Sequence, residues 1–156
     1  MAMVVETEIE IRAPLAHLWK ILTDFSRYEE WNPLIVRAAG PLVAGSRIRI
    51  SVRLPERKTM DFCPTLVVLE EERELRWRGS LGVPGLFSGE HAFIVTEREG
   101  GILQFVHRAT HAGYFPPWHP YDRWAGEMDG GEEDEIGRRL SLSGIAPSEF
   151  RTVALT

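Results

Sequence analysis

A chain of 156 residues with 44% hydrophobic and 10% aromatic content is long enough for one domain with a substantial core. Eighteen basic against 23 acidic residues leave a net charge of −5, which speaks against binding a nucleic-acid phosphate backbone. The single cysteine, Cys63, excludes an intrachain disulfide; no stretch approaches the ~20 apolar residues that span a bilayer; and Glu6, Glu8 and Glu10 do not fit a secretory leader. These features together predict a soluble protein of the reducing cytoplasm.

Residues 5–12 alternate Val5, Thr7, Ile9 and Ile11 with Glu6, Glu8, Glu10 and Arg12, the period of a strand with one buried face. Pro14 suits the first turn of a helix, and Leu15, Leu18, Trp19 and Leu22 follow at helical spacing, which predicts an amphipathic helix over 14–23. Asp24 and Ser26 can cap a second short helical turn running to Trp31, which Pro33 ends. Strand patterns then occupy 34–39, 47–54, 61–69, 74–79, 89–96 and 103–112, separated by Gly- and Pro-rich turns, a meander that implies an antiparallel sheet. After Pro116-Pro117, Tyr121, Trp124, Ala125 and Met128 could begin a helix against the sheet. Between Gly126 and Arg139, four glycines and six acidic residues degrade the pattern, so 126–156 reads as an atypical, partly disordered tail.

This order of elements resembles the helix-grip fold of the START-like superfamily, especially its polyketide cyclase/dehydrase (SRPBCC) branch. The likeness is carried by Ile11-Arg12-Ala13-Pro14, Leu18-Trp19, Leu22-Thr23-Asp24-Phe25, and Tyr28 followed by Trp31-Asn32-Pro33. It continues in Phe62-Cys63-Pro64, Glu74-Leu75-Arg76-Trp77-Arg78-Gly79, Gly89-Glu90-His91-Ala92-Phe93, and Phe105-Val106-His107 onward to Gly113. The resemblance covers about residues 5–120 and implies an α+β domain. Its sheet would be curved and antiparallel with about seven strands, two short helices would follow the first strand, and a C-terminal helix would pack across the sheet. An apolar cavity for lipids, polyketides or other hydrophobic molecules would lie between sheet and helix. Two departures stand out: Ala109 and His111 replace the acidic and large apolar residues common in relatives, and the terminal segment carries glycines where a strong amphipathic helix is usual.

Strand parity supplies the candidate site. A hairpin turning near Glu99 would pair Val95 with Leu103, Phe93 with Phe105 and His91 with His107, all on one apolar face, with His111 further along the same side. A polar ring in an apolar pocket must find a partner or lose about 1–3 kcal/mol, so these imidazoles are candidate ligand contacts or acid–base groups. Buried histidines also bond each other, a carbonyl or water. Trp31, Leu54, Phe62, Trp77 and Phe87 complete the candidate lining, although each also reads, and reads first, as core. The uncharged loop 79–89, with Leu86 and Phe87 at its tip, is a candidate gate. Cys63 beside Pro64 reads as a small core residue, and no metal or cofactor is expected. The function expected is binding or transport of a small hydrophobic ligand, without nucleic acid or an integral membrane anchor and compatible with a homodimer. The alternative is a cyclase/aromatase using a cavity histidine, and a partner-binding adaptor is a third, weaker class.

Overall fold

The computed structural model describes residues 2–32, 35–53, 59–80, 87–113 and 151–153. Strand β1 (Ala2–Ile11) leads into helix α1 (Leu15–Thr23), a 3₁₀ turn (Phe25–Arg27) and the one-turn helix α2 (Tyr28–Trp31). Helix α1 starts where the Pro14 carbonyl accepts the N–H groups of His17 and Leu18, and it buries Leu18, Trp19, Ile21 and Leu22 on one side. The α1–α2 corner is fixed by polar contacts. The Tyr28 hydroxyl donates to the Leu22 carbonyl at 2.5 Å, and the Asn32 side-chain carbonyl accepts the Ile35 N–H at 2.8 Å, so the chain leaves α2 in a defined direction.

Eight strands follow among the described residues: β2 (Ile35–Ala39), β3 (Arg49–Arg53), β4 (Thr59–Phe62), β5 (Thr65–Glu70), β6 (Glu74–Ser80), β7 (Phe87–Arg98), β8 (Ile102–Gly113) and β9 (Arg151–Val153). Together with β1 they form a six-stranded ladder, β5-β6-β7-β8-β1-β9, and a three-stranded ladder, β2-β3-β4, and every pairing among the described residues is antiparallel. The segment before β3 ties the two together: Gly45 and Ile48 donate to the carbonyls of Leu66 and Pro64, and Leu66 donates back to Ser46.

Three sequence expectations change here. The strand expected over 61–69 is two strands, because Cys63-Pro64 interrupts the ladder and proline has no N–H to continue it. Cys63 is exposed rather than core; its carbonyl accepts Arg47 Nη2 at 3.0 Å while Pro64 takes the buried position. The β7–β8 register is shifted by two residues, pairing Val95 with Phe105, Phe93 with His107 and His91 with Ala109. The shift follows from a short turn at Glu99-Gly100-Gly101, where both glycines take positive φ, 80° and 74°. An even shift preserves parity, so the residues expected on one face remain there. The expected C-terminal helix, the acidic tail and most of the loop 79–89 lie outside the described residues.

The two faces of the six-stranded ladder differ in chemistry. One carries Ile9, Ile11, Leu66, Leu75, Trp77, Phe93, Val95, Leu103 and Phe105, all buried. The other carries charge pairs: Arg108 bonds its cross-strand partner Glu6, Arg78 bonds its partner Glu90 at 2.5 Å, and Arg76 reaches both Glu74 and Glu90. Burial on one side and ion pairing on the other set which face points inward.

Candidate functional site

Helix α2 covers one end of the inner face. Tyr28 and Trp31 pack edge-on against Phe93, with ring centroids 6.4 and 5.8 Å away, and Phe93 also meets Trp77 at 5.3 Å and Phe105 at 5.7 Å. Phe93 is fully buried and is the hub of this aromatic cluster. One register step along β7 and β8 the apolar surface gives way to imidazoles. His107 faces Phe93 across the ladder with rings 5.0 Å apart, His91 lies nearly parallel to Trp77, and His111 meets His91 edge to face at 5.5 Å.

His91 and His107 touch directly, Nδ1 of the first lying 3.4 Å from Nε2 of the second. Their ring centroids are 5.7 Å apart and the planes are only 23° from parallel. That separation is about two ring radii plus the nitrogen gap, so both nitrogens lie near the line joining the rings. The contact is edge to edge, in the direction an N–H points, and not a face-to-face stack. It is a diagonal pair, since His91 is the cross-strand partner of Ala109.

Burial keeps these rings neutral. His107 and His111, 6% and 4% exposed, have pKa values lowered to about 4, chiefly by loss of solvation. His91 is pushed well below the usual histidine range by burial first, then by its two imidazole neighbours. The same burial raises the Tyr28 hydroxyl well above the usual tyrosine value. Two indole donors, Trp31 Nε1 and Trp77 Nε1, are buried and find no hydrogen-bond acceptor among the described residues. The site can therefore offer N–H donors and neutral imidazoles at the edge of an aromatic wall. Among the described residues no three His, Cys, Asp or Glu side chains are grouped to hold a metal ion.

Of the residues singled out from sequence, Trp31, Trp77, His91, Phe93, Phe105, His107 and His111 come together on or against this inner face. Phe62 is partly buried and packs against the core from β4, outside the six-stranded ladder. Leu54 lies outside the described residues; of Phe87 only its pairing with Gly113 at the start of β7 is described. Sequence reasoning missed Tyr28 as a member of the aromatic cluster. It also missed a groove of about 110 Å³ lined by His17, Lys20, Ile21, Asp24, Arg27 and Trp31. The spacing 17, 20, 21, 24 marks one helix face and could have located it.

The sequence matches the family model described as polyketide cyclase/dehydrase and lipid transport over residues 2–141, and the chain belongs to that family. Its fold is similar to that of a START superfamily protein from Mycobacterium smegmatis, with a TM-score of 0.61, 18% identity, and 90% of this chain and 92% of that one covered. A protein from Mesorhizobium loti aligns with a TM-score of 0.59 and 20% identity over 92% of this chain and 96% of its own. The di-domain ARO/CYC StfQ from the steffimycin biosynthetic pathway has a TM-score of 0.65 at 10% identity, covering 95% of this chain and 52% of that chain. No curated protein matches the sequence. Among the described residues no helix is long and apolar enough to cross a membrane.

Proposed function

We propose that this protein binds a small hydrophobic molecule against the inner face of the six-stranded ladder, with Trp77, Phe93, Phe105, His91, His107 and His111 as its contacts. The observation that carries the reading is the juxtaposition on one face of an aromatic cluster and three neutral imidazoles, His107 and His111 buried and His91 partly so, beside indole donors that find no acceptor among the described residues. Each buried indole N–H without an acceptor among the described residues costs about 1–3 kcal/mol that an aliphatic side chain would avoid. A ligand with an apolar body and one or two acceptor oxygens satisfies both parts of the face. Family membership supports the same ligand class. Leu54, Phe62 and Phe87 are the remaining contacts in this reading, and a C-terminal helix closes the site. The negative net charge disfavours a polyphosphate partner, and the exposed thiol of Cys63 suits a reducing compartment such as the cytoplasm.

Titration with fatty acids and with neutral bicyclic aromatic ketones, read by tryptophan fluorescence, tests the proposal. Trp77 sits in the contact set, so a ligand should quench emission saturably. A flat response across the whole panel would contradict it. A second reading, an aromatase/cyclase-type enzyme, is favoured by one specific observation: two imidazoles within hydrogen-bonding distance at the edge of the aromatic wall.

A further inference from the structure

We propose that His91 and His107 form a two-histidine proton relay that moves protons to and from a carbonyl-bearing ligand while both rings stay neutral. It rests on the ligand-binding reading above and deepens it by naming the chemistry of the ligand, a ketone with a removable proton on the adjacent carbon.

The geometry requires it to work as a unit. A neutral imidazole carries one N–H and one lone pair. A hydrogen bond between His91 Nδ1 and His107 Nε2 needs a single proton between them, which leaves two arrangements. If His91 Nδ1 holds it, His107 carries its own proton on Nδ1 and both rings are Nδ1–H tautomers. If His107 Nε2 holds it, both rings are Nε2–H tautomers. Mixed tautomers would place two protons or two lone pairs face to face. In either allowed arrangement the two outer nitrogens, His91 Nε2 and His107 Nδ1, are opposite in character, one a donor and the other an acceptor. Apart from their contact with each other, neither ring hydrogen-bonds any described residue.

The transfer balances without a co-reactant. The acceptor outer nitrogen takes the proton from the carbon beside the ligand's carbonyl, and the C–H electron pair becomes the new C=C bond. The C=O π pair moves to oxygen. The shared proton crosses the nitrogen gap, and the N–H at the other outer end delivers its proton to that oxygen, directly or through one water. The product is the enol; both rings remain neutral with their tautomers exchanged, and the reverse passage restores them. Because burial disfavours an imidazolium at either ring, a relay that never creates one avoids the charge a lone histidine base would have to carry. The 3.4 Å gap is long for a hydrogen bond, as is common before a substrate closes a site.

Two measurements test it. Long-range ¹H–¹⁵N correlation on the ¹⁵N-labelled full chain at pH 7 reads the tautomers; the relay predicts that His91 and His107 share one tautomer, and mixed tautomers or a protonated ring overturn it. Exchange of the benzylic protons of 2-tetralone in D₂O reads the chemistry. The protein should speed deuterium uptake by about 10²-fold over buffer, and His91→Gln and His107→Gln should each abolish the gain, with the double variant no worse than either. Independent, multiplying effects, or full activity in either single variant, overturn the relay. If 2-tetralone quenches tryptophan emission saturably yet exchanges at the buffer rate, the relay fails and the binding proposal stands. If it does not quench, the loss falls on the binding proposal and the tautomer measurement still decides the relay.

Discussion

Nδ1 of His91 lies 3.4 Å from Nε2 of His107 although the two residues are not cross-strand partners; the two-residue register shift places them on a diagonal, with Phe93 opposite His107. The diagonal leaves room for the two rings to meet edge to edge.

Burial of neutral imidazoles makes stability depend on acidity with a definite sign. The folded pKa of His107 and His111 is about 4, whereas an unfolded histidine titrates near its ordinary value of about 6.5. Between these values the unfolded chain binds more protons, so stability is complete above about pH 6.5 and falls as the pH drops towards 4. His107 alone accounts for about 3 kcal/mol across that window. Denaturant midpoints measured at pH 7, 5.5 and 4.5 should decrease steadily, and His107→Phe should flatten the slope. A midpoint that is constant down to pH 4.5 would contradict buried neutral rings.

Phe93 joins the helices to the sheet through Tyr28 and Trp31 on one side and Trp77 and Phe105 on the other. Phe93→Ala should remove about 3–5 kcal/mol of stability, the range for a large aromatic deleted from a packed core. Urea unfolding measures it; a loss below about 1 kcal/mol would mean the cluster is loosely packed.

Gly40 and Gly45 separate close packing from backbone preference. Both have positive φ, but a Cβ at Gly40 would lie 2.9 Å from the Ile48 Cα, whereas no atom of the described residues lies within 4 Å of one at Gly45. Gly40→Ala should therefore destabilise more than Gly45→Ala, whose cost is limited to about 1 kcal/mol of backbone strain. Thermal melts of the two variants side by side decide it.

The charge pairs on the outer face should contribute little. Arg108→Gln removes the partner of Glu6 at a partly exposed site, and a change of about 0–1 kcal/mol, shrinking further in 0.5 M salt, is the expected outcome of chemical denaturation.

Much of this was legible in the sequence because side-chain parity is a strong signal. Glu6, Glu8 and Glu10 alternating with Ile9 and Ile11 identified β1, and Leu18, Trp19 and Leu22 identified α1. The shared face of His91, Phe93, Phe105 and His107 was legible for the same reason. Register was not, because a pattern of period two looks the same after any even shift and only the turn at Gly100-Gly101 decides it. Cys63-Pro64 hid its break inside an otherwise apolar run, since a small residue beside proline reads equally well as core. Tyr28 was quoted only for family likeness, yet its hydroxyl closes the α1–α2 corner while its ring packs on Phe93, a tertiary pairing that local spacing does not encode.

The most direct test is an NMR titration of the labelled chain with 2-tetralone, following the Trp77 indole and the His91 and His107 imidazoles beside the outer-face side chains of Arg78 and Arg108. Uptake on the inner face predicts saturable shifts at Trp77, His91 and His107 with one common Kd and still resonances at the two arginines. Shifts confined to the arginines, or none that saturate, would contradict the account.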